Sequence, residues 1–349
     1  MKSKFVRDLL DNLEPYSSEV SLSDGNLLRL HANEIPWKNE AVILALHDKL
    51  LSMPFNRYPE VTNFGIRKKI ADYIGFEKEN VLVGNGSDEI IDTIGKAFIS
   101  PLDKVLIPSP TFSLYSSIAR IYSGLPILIP LNPDYTLPVD KIISESKSSK
   151  ITIICSPNNP TGVLYPDEDI KTILDTGILV ILDEAYAEFS GHSGLHLLNN
   201  YDNLIVMKTF SKAFGLAGFR TGYCVASETL IESMSKVILP YNLNLISLKV
   251  VELAIQHEDF MSDVVKKIKE NKKYLYGALK EIEGITPIPS STNFILFEVQ
   301  NAKKIYEELL KRGILIRYFE GKNYLRVSVG TYDECVKFIS ELREILNVC

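Results

Sequence analysis

Lys212 and Arg220 stand eight residues apart in "SKAFGLAGFR", directly after the apolar run "NLIVMKT". An amine at the end of a buried strand can attack a carbonyl carbon or take up a proton. With a second cation close behind, the pair calls for an anion or an electrophile. Three other segments offer matching groups: "GNGSDE" with Ser87 and Asp88, "SPNNPTG" with Asn159, and "DEAYAEF" with Asp183 and Tyr186. A carboxylate can hold a proton on a ring nitrogen, while a hydroxyl or amide can donate to an oxygen. A glycine turn that opens a helix presents backbone N–H groups to an anion, and Ser211 and the Arg220 fork can complete that cradle. Phe112, in "PTFSLY", can stack on a flat ring. Each residue alone also fits a turn, a cap, a solvated lysine or a core aromatic. Their joint appearance at strand ends is what points to a site.

The strands that carry them are short and almost continuously apolar. "NVLVG", "KVLIP", "PILIP", "KITIICS", "GILVILDE" and "NLIVMKT" lack the alternation of a half-exposed sheet, so both faces are expected to be covered. Helical patterns separate several of them, as in "SDEIIDTIGKAF". This predicts an α/β fold with a mostly parallel central sheet, and ligands in such sheets bind beyond the carboxyl ends of the strands. After "ILPYNLNLIS", near Pro240, the texture changes to long helices and a few strands ("NFILFEV", "ILIRYF", "YLRVSVG"), a smaller α+β part. The expected division is an N-terminal arm over 1–36 packing with the small domain, a large domain over 37–245 and a small domain over 246–349.

The formal charge of −6 speaks against a nucleic-acid partner held through its phosphates. The apolar runs are too short to span a membrane, and the start "MKSKFVRDLL" lacks the apolar stretch of a signal peptide. The four cysteines are scattered without ligand spacing, which fits a reduced, cytoplasmic protein. His192 and His196 are four apart but flanked and separated by glycines, so no metal site is expected.

A lysine that links to an aldehyde, an acid against a ring nitrogen and a phosphate cradle together suit pyridoxal 5'-phosphate. The chain resembles the fold-type I, class I/II pyridoxal-phosphate-dependent aminotransferases over essentially its whole length. "SKAFGLAGFRTGY" is similar to the family's lysine signature, "SPNNPTG" and "DEAYAEF" to its ring-contact segments, and "GNGSDEII" to its phosphate helix. The resemblance implies Lys212, Asp183 and Tyr186 as catalytic residues. It implies Ser87, Asp88, Phe112, Asn159, Ser211 and Arg220 as further cofactor contacts. "LHANEIPW", "NRYPE" and "YLRVSVGT" resemble the branch of the family that acts on histidinol phosphate. That likeness implies Tyr58 reaching the cofactor of a partner subunit, hence a homodimer, and Arg326, Arg317, Tyr16 and Asn159 at the substrate. It also implies histidinol phosphate as amine donor and 2-oxoglutarate as acceptor, with glutamate as product. An aromatic amino-acid aminotransferase or a threonine-phosphate decarboxylase on the same fold is the alternative. Two departures stand out: Phe112 occupies a position where the family usually has tyrosine, and the loop between Arg317 and Arg326 is short.

Overall fold

The computed structural model describes residues 5–7, 10, 13 and 27–348. A two-residue strand, β1 (Leu28–Arg29), is followed by seven strands that form one sheet. These are β2 (Val81–Gly84), β3 (Lys104–Ser109), β4 (Leu125–Pro130), β5 (Ile151–Cys155), β6 (Leu179–Asp183), β7 (Leu204–Thr209) and β8 (Gly222–Ala226). Their order across the sheet is β2-β8-β7-β6-β5-β3-β4. The neighbours from β4 to β7 pair in parallel, whereas β8 runs antiparallel to both β2 and β7. Sequence patterning did not single out β8: "GYCVA" continues the glycine-spaced lysine segment, and only its two neighbours make it a strand.

Successive side chains point to opposite faces, and both faces are covered. Ile151, Ile153 and Cys155 of β5 pack with Ile90, Ile91 and Ile94 of the helix Ser87–Phe98. Ile154, with Val180, Leu182, Leu204 and Val206, packs on the other side against Ile142, Ile170 and Ile173. This two-sided burial is why the strands lack alternation. The exception is β4, an edge strand with exposed Leu125 and Leu128 and with prolines at 126 and 130, which supply no N–H for a further strand.

The second sheet is antiparallel. Its strands are β9 (Ile285–Pro287), β10 (Phe294–Val299), then, past the separate β11 (Ile314–Leu315), β12 (Arg317–Tyr318) and β13 (Tyr324–Ser328), in the order β12-β13-β10-β9. "ILIRYF" is therefore not one strand. Ile314 and Leu315 pair with β1, and Arg317 and Tyr318 pair with β13, with buried Ile316 between them. The helices Asp259–Lys280, Ala302–Lys311 and Tyr332–Val348 supply Ile268, Leu275, Ile305, Leu309 and Phe338 to the core of this part. The helix Leu245–Gln256 instead packs Val250, Val251 and Ala254 with Val42, Leu46 and Ile70 beside the large sheet. Apolar faces thus switch partners between Gln256 and Asp259.

The segment after β1 crosses from one part to the other. Leu30 donates to the Leu315 carbonyl and accepts from Ser328 N–H, while the Asn39 side chain donates to the Phe214 carbonyl. No helix among the described residues is long and apolar enough to cross a membrane.

Candidate active site

Three adjacent strands, β5, β6 and β7, end at the same edge of the large sheet, and β2 ends there on the far side of β8. Asp183 closes β6, in register with Cys155 and Met207 on its neighbours. Its carboxylate is buried: Oδ2 accepts from the Tyr115 hydroxyl at 2.6 Å and Oδ1 from Ala185 N–H at 3.0 Å. Burial pushes its pKa above the usual carboxylate range, against both hydrogen bonds. None of the ion pairs among the described residues involves it. A protonated ring nitrogen would supply the cation this carboxylate lacks.

Lys212 is half-buried in the turn after β7. Its Nζ donates to the Ala32 carbonyl at 3.0 Å and lies 5.9 Å from the centre of the Tyr186 ring. Burial, then the charge of Arg326, pulls its pKa down to about 8. The amine thus sheds its proton far more readily than an ordinary lysine, and the uncharged form is the one that attacks carbon or accepts a proton. Tyr186 is buried edge-on to Phe294, and its oxygen accepts from Asn33 Nδ2 at 2.9 Å.

The anion cradle is built from backbone packed closely together. The helix Ser87–Phe98 opens after Gly86, whose φ is 80°, so the N–H groups of Ser87 and Asp88 belong to a first turn with no intrahelical acceptors. Arg220 is also left-handed, with φ 53°, and donates from Nη2 to Asp88 Oδ2 at 2.6 Å. A Cβ at Gly86 would stand 2.6 Å from Arg220 Nη2, and one at Gly222 2.6 Å from Ser87 N. Ser211 Oγ, in the same β7–β8 turn as Arg220, is buried without a hydrogen-bond partner. A buried hydroxyl left unsatisfied calls for a polar ligand. Helix N–H groups, an arginine and that hydroxyl are a fitting set for a phosphate.

The second sheet closes the site from the other side. Arg326 on β13 stands in register with Arg317 on β12, and both guanidinium groups lie near the Phe319 ring, at 6.0 and 5.8 Å. Arg326 is buried; Nη1 donates to Asn159 Oδ1 and Nη2 to the His31 carbonyl at 2.7 Å. That first bond ties the small sheet to the turn after β5 and leaves the Asn159 amide N–H₂ to donate elsewhere. Phe112 is partly buried and meets Tyr115 edge-on, with ring centres 5.6 Å apart. Tyr58 stands apart on the surface, 80% exposed and stacked on Tyr241 at 4.5 Å. Tyr16 lies outside the described residues.

Two contacts to these side chains escaped sequence reasoning. Tyr115 sits at a core position of the helix Leu114–Ile121, where its ring hides a hydroxyl aimed at Asp183. Asn33 is one polar residue in "LHANEIPW" with no periodic signal. A third feature lies on the opposite face of β6 and β7: Lys208 Nζ is buried between Glu184 and Glu188, at 3.2 and 3.1 Å. Glu184 also accepts from Ser193 Oγ and Gly194 N–H. His192 and His196 both reach Asp167, at 2.8 and 2.9 Å, and the described residues include no cluster of His, Cys, Asp and Glu arranged for a metal ion.

The family model "Aminotransferase class I and II" matches residues 19–342. The histidinol-phosphate aminotransferase of Thermococcus gammatolerans is 37% identical over 345 residues, covering 97% of each chain. That of Thermoanaerobacter sp. X514 is 39% identical, covering 91% of this chain and 93% of the relative. Among solved structures, the histidinol-phosphate aminotransferase of Clostridium acetobutylicum superposes with a TM-score of 0.87 at 25% identity, covering 93% of this chain and all of that one.

Proposed function

The chain belongs to the class I and II aminotransferase family, and from this premise we propose that it transfers the amino group of histidinol phosphate to 2-oxoglutarate. The products are imidazole acetol phosphate and glutamate, and the step belongs to histidine biosynthesis. The observation that carries the substrate is near-full-length similarity, at 37–39% identity, to relatives of that name. The paired arginines on β12 and β13 support it, because a phosphate-bearing amine brings a dianion where an amino acid brings a single carboxylate.

The cofactor is pyridoxal 5'-phosphate, which when bound supplies an aldehyde for the amine and a ring that draws electrons from the reacting carbon. Asp183 holds a proton on the ring nitrogen, with Tyr115 and Ala185 N–H keeping its carboxylate in place. Tyr186 and the Asn159 amide donate to the ring oxygen. The N–H groups of Ser87 and Asp88, Ser211 Oγ and the Arg220 fork take the phosphate, and Phe112 stacks on the ring face. Lys212 Nζ takes the proton from the carbon that bears the substrate amine. Its pKa near 8 lets it accept and release that proton near neutrality. Arg326, with Arg317 beside it, binds the substrate phosphate.

The active form is a cytoplasmic homodimer. Leu44, Leu51, Phe55, Val61 and Leu239 are exposed on the segments that carry Tyr58 and Tyr241, an apolar face suited to a second copy. Tyr58 then reaches the cofactor phosphate of the partner subunit.

The test is a side-by-side assay with 2-oxoglutarate of histidinol phosphate, phenylalanine and threonine phosphate. Histidinol phosphate is expected to lead in kcat/KM by about a hundredfold or more, as for a site built around a charged group. Equal or faster turnover of phenylalanine, or carbon dioxide release from threonine phosphate, overturns the assignment.

A further inference from the structure

We propose that Asn33 is a positioning residue that fixes the direction of the Tyr186 hydroxyl proton and couples it to the seating of the small sheet. This inference rests on the cofactor site described above. Asn33 is 1% exposed and left-handed, with φ 54°. All four of its polar groups are engaged. Its N–H donates to Ser328 Oγ at 2.9 Å, and its carbonyl accepts from Asn293 Nδ2 at 2.9 Å. Its Oδ1 accepts from Ser328 Oγ at 3.2 Å, and its Nδ2 donates to Tyr186 Oη at 2.9 Å.

The direction of the last bond follows from proton counting. Ser328 Oγ has one proton, and it already accepts from Asn33 N–H. Giving that proton to Oδ1 satisfies both atoms. The flipped amide would bring a second donor to Oγ and take away the acceptor of its proton. Nδ2 therefore faces Tyr186, and an amide N–H₂ can only donate. The Tyr186 oxygen must accept on that side, so its own proton leaves in another direction. Lys212 Nζ lies 5.9 Å from the ring centre, and on the cofactor reading above the acceptor left for that proton is the cofactor's ring oxygen. Ser328 ends β13 and Asn293 precedes β10, so two of Asn33's three partners belong to the small sheet. Displacing that sheet withdraws the amide and frees the hydroxyl to rotate.

The experiment titrates the visible band of the purified, cofactor-loaded enzyme against pH. Removing a donor from the cofactor's ring oxygen makes that oxygen more basic, so Tyr186→Phe is expected to raise the midpoint by on the order of one pH unit. Asn33→Asp keeps the shape but replaces the donor with an acceptor, which turns the Tyr186 proton toward the new carboxylate. It is expected to reproduce at least half of that rise. Asn33→Gly deletes the donor at a left-handed position that glycine adopts without backbone strain, and it serves as the second variant should the aspartate variant fail to fold. It is expected to move the midpoint the same way by less. Asn33 variants that lower the melting temperature while titrating with wild type, in the presence of a shifted Tyr186→Phe, overturn the inference and leave the cofactor site standing. An unshifted Tyr186→Phe removes Tyr186 from the ring oxygen and overturns the inference as well. Absence of any visible band in wild type loaded with the cofactor overturns the cofactor reading, and this inference with it.

Discussion

Replacing Lys212 by methionine should make the cofactor-free protein more stable, by an amount that depends on pH in a defined way. The amine's pKa is about 8 in the folded protein and 10.5 as its ordinary value, a gap of about 2.5 units. Each unit is about 1.4 kcal/mol, so holding the protonated amine in this site costs about 3 kcal/mol. Between those two values the unfolded chain binds the proton and the folded one does not, so stability rises with pH there. Below pH 8 both states are protonated and the full penalty applies; above about pH 10.5 neither is, and it vanishes. The methionine variant, of similar length and without the amine, should exceed wild type by about 3 kcal/mol at pH 7. That excess should shrink steadily from pH 8 upward. Urea unfolding of both apo proteins at half-unit steps from pH 6.5 to 10 measures it. A difference that stays constant with pH, or a variant less stable than wild type at pH 7, would refute the claim that the site disfavours the charged lysine.

Two further perturbations probe the supports of the site. Tyr115→Phe keeps the buried ring but removes the hydrogen bond to the Asp183 carboxylate, worth about 1.5–3 kcal/mol for a charged acceptor. Cofactor affinity by fluorescence titration should fall about tenfold or more at pH 7, and further toward pH 5 as Asp183 protonates more readily. Lys208→Met leaves Glu184 and Glu188 buried without their shared cation. Unfolding free energy at pH 7 should drop by about 3–5 kcal/mol, read by denaturant melts of the apo protein.

Much of the architecture was legible because two-sided burial leaves a local signature. Ile151 to Cys155 and Leu204 to Thr209 are buried without exception, and each leads directly into polar residues, a pattern that a strand feeding a ligand site produces. What was not legible depends on partners distant in sequence. β8 is short and glycine-led, and only hydrogen bonds to β2 and β7 make it a strand. The segment "ILIRYF" looks uniform, but β1 claims its first two residues and β13 takes Arg317 and Tyr318. Tyr115 reads as a core aromatic because its ring is one; its hydroxyl gains meaning only from Asp183, 68 residues on. Asn33 contacts residues 153, 260 and 295 positions away. No local pattern encodes such a hub. Lys208 reads as the end of an apolar strand, because the carboxylates that hold it lie in the turn after the neighbouring strand β6 and on the short helix that follows it.

The central claim is that the ε-amine of Lys212 carries the cofactor. Borohydride reduction of the fully active, cofactor-loaded enzyme, followed by proteolysis and mass spectrometry, tests it directly. The pyridoxyl mass is predicted on the peptide containing Lys212 and to be absent from Lys212→Ala treated in the same way. Finding that mass on another lysine, or on none while the enzyme is active, would contradict the account.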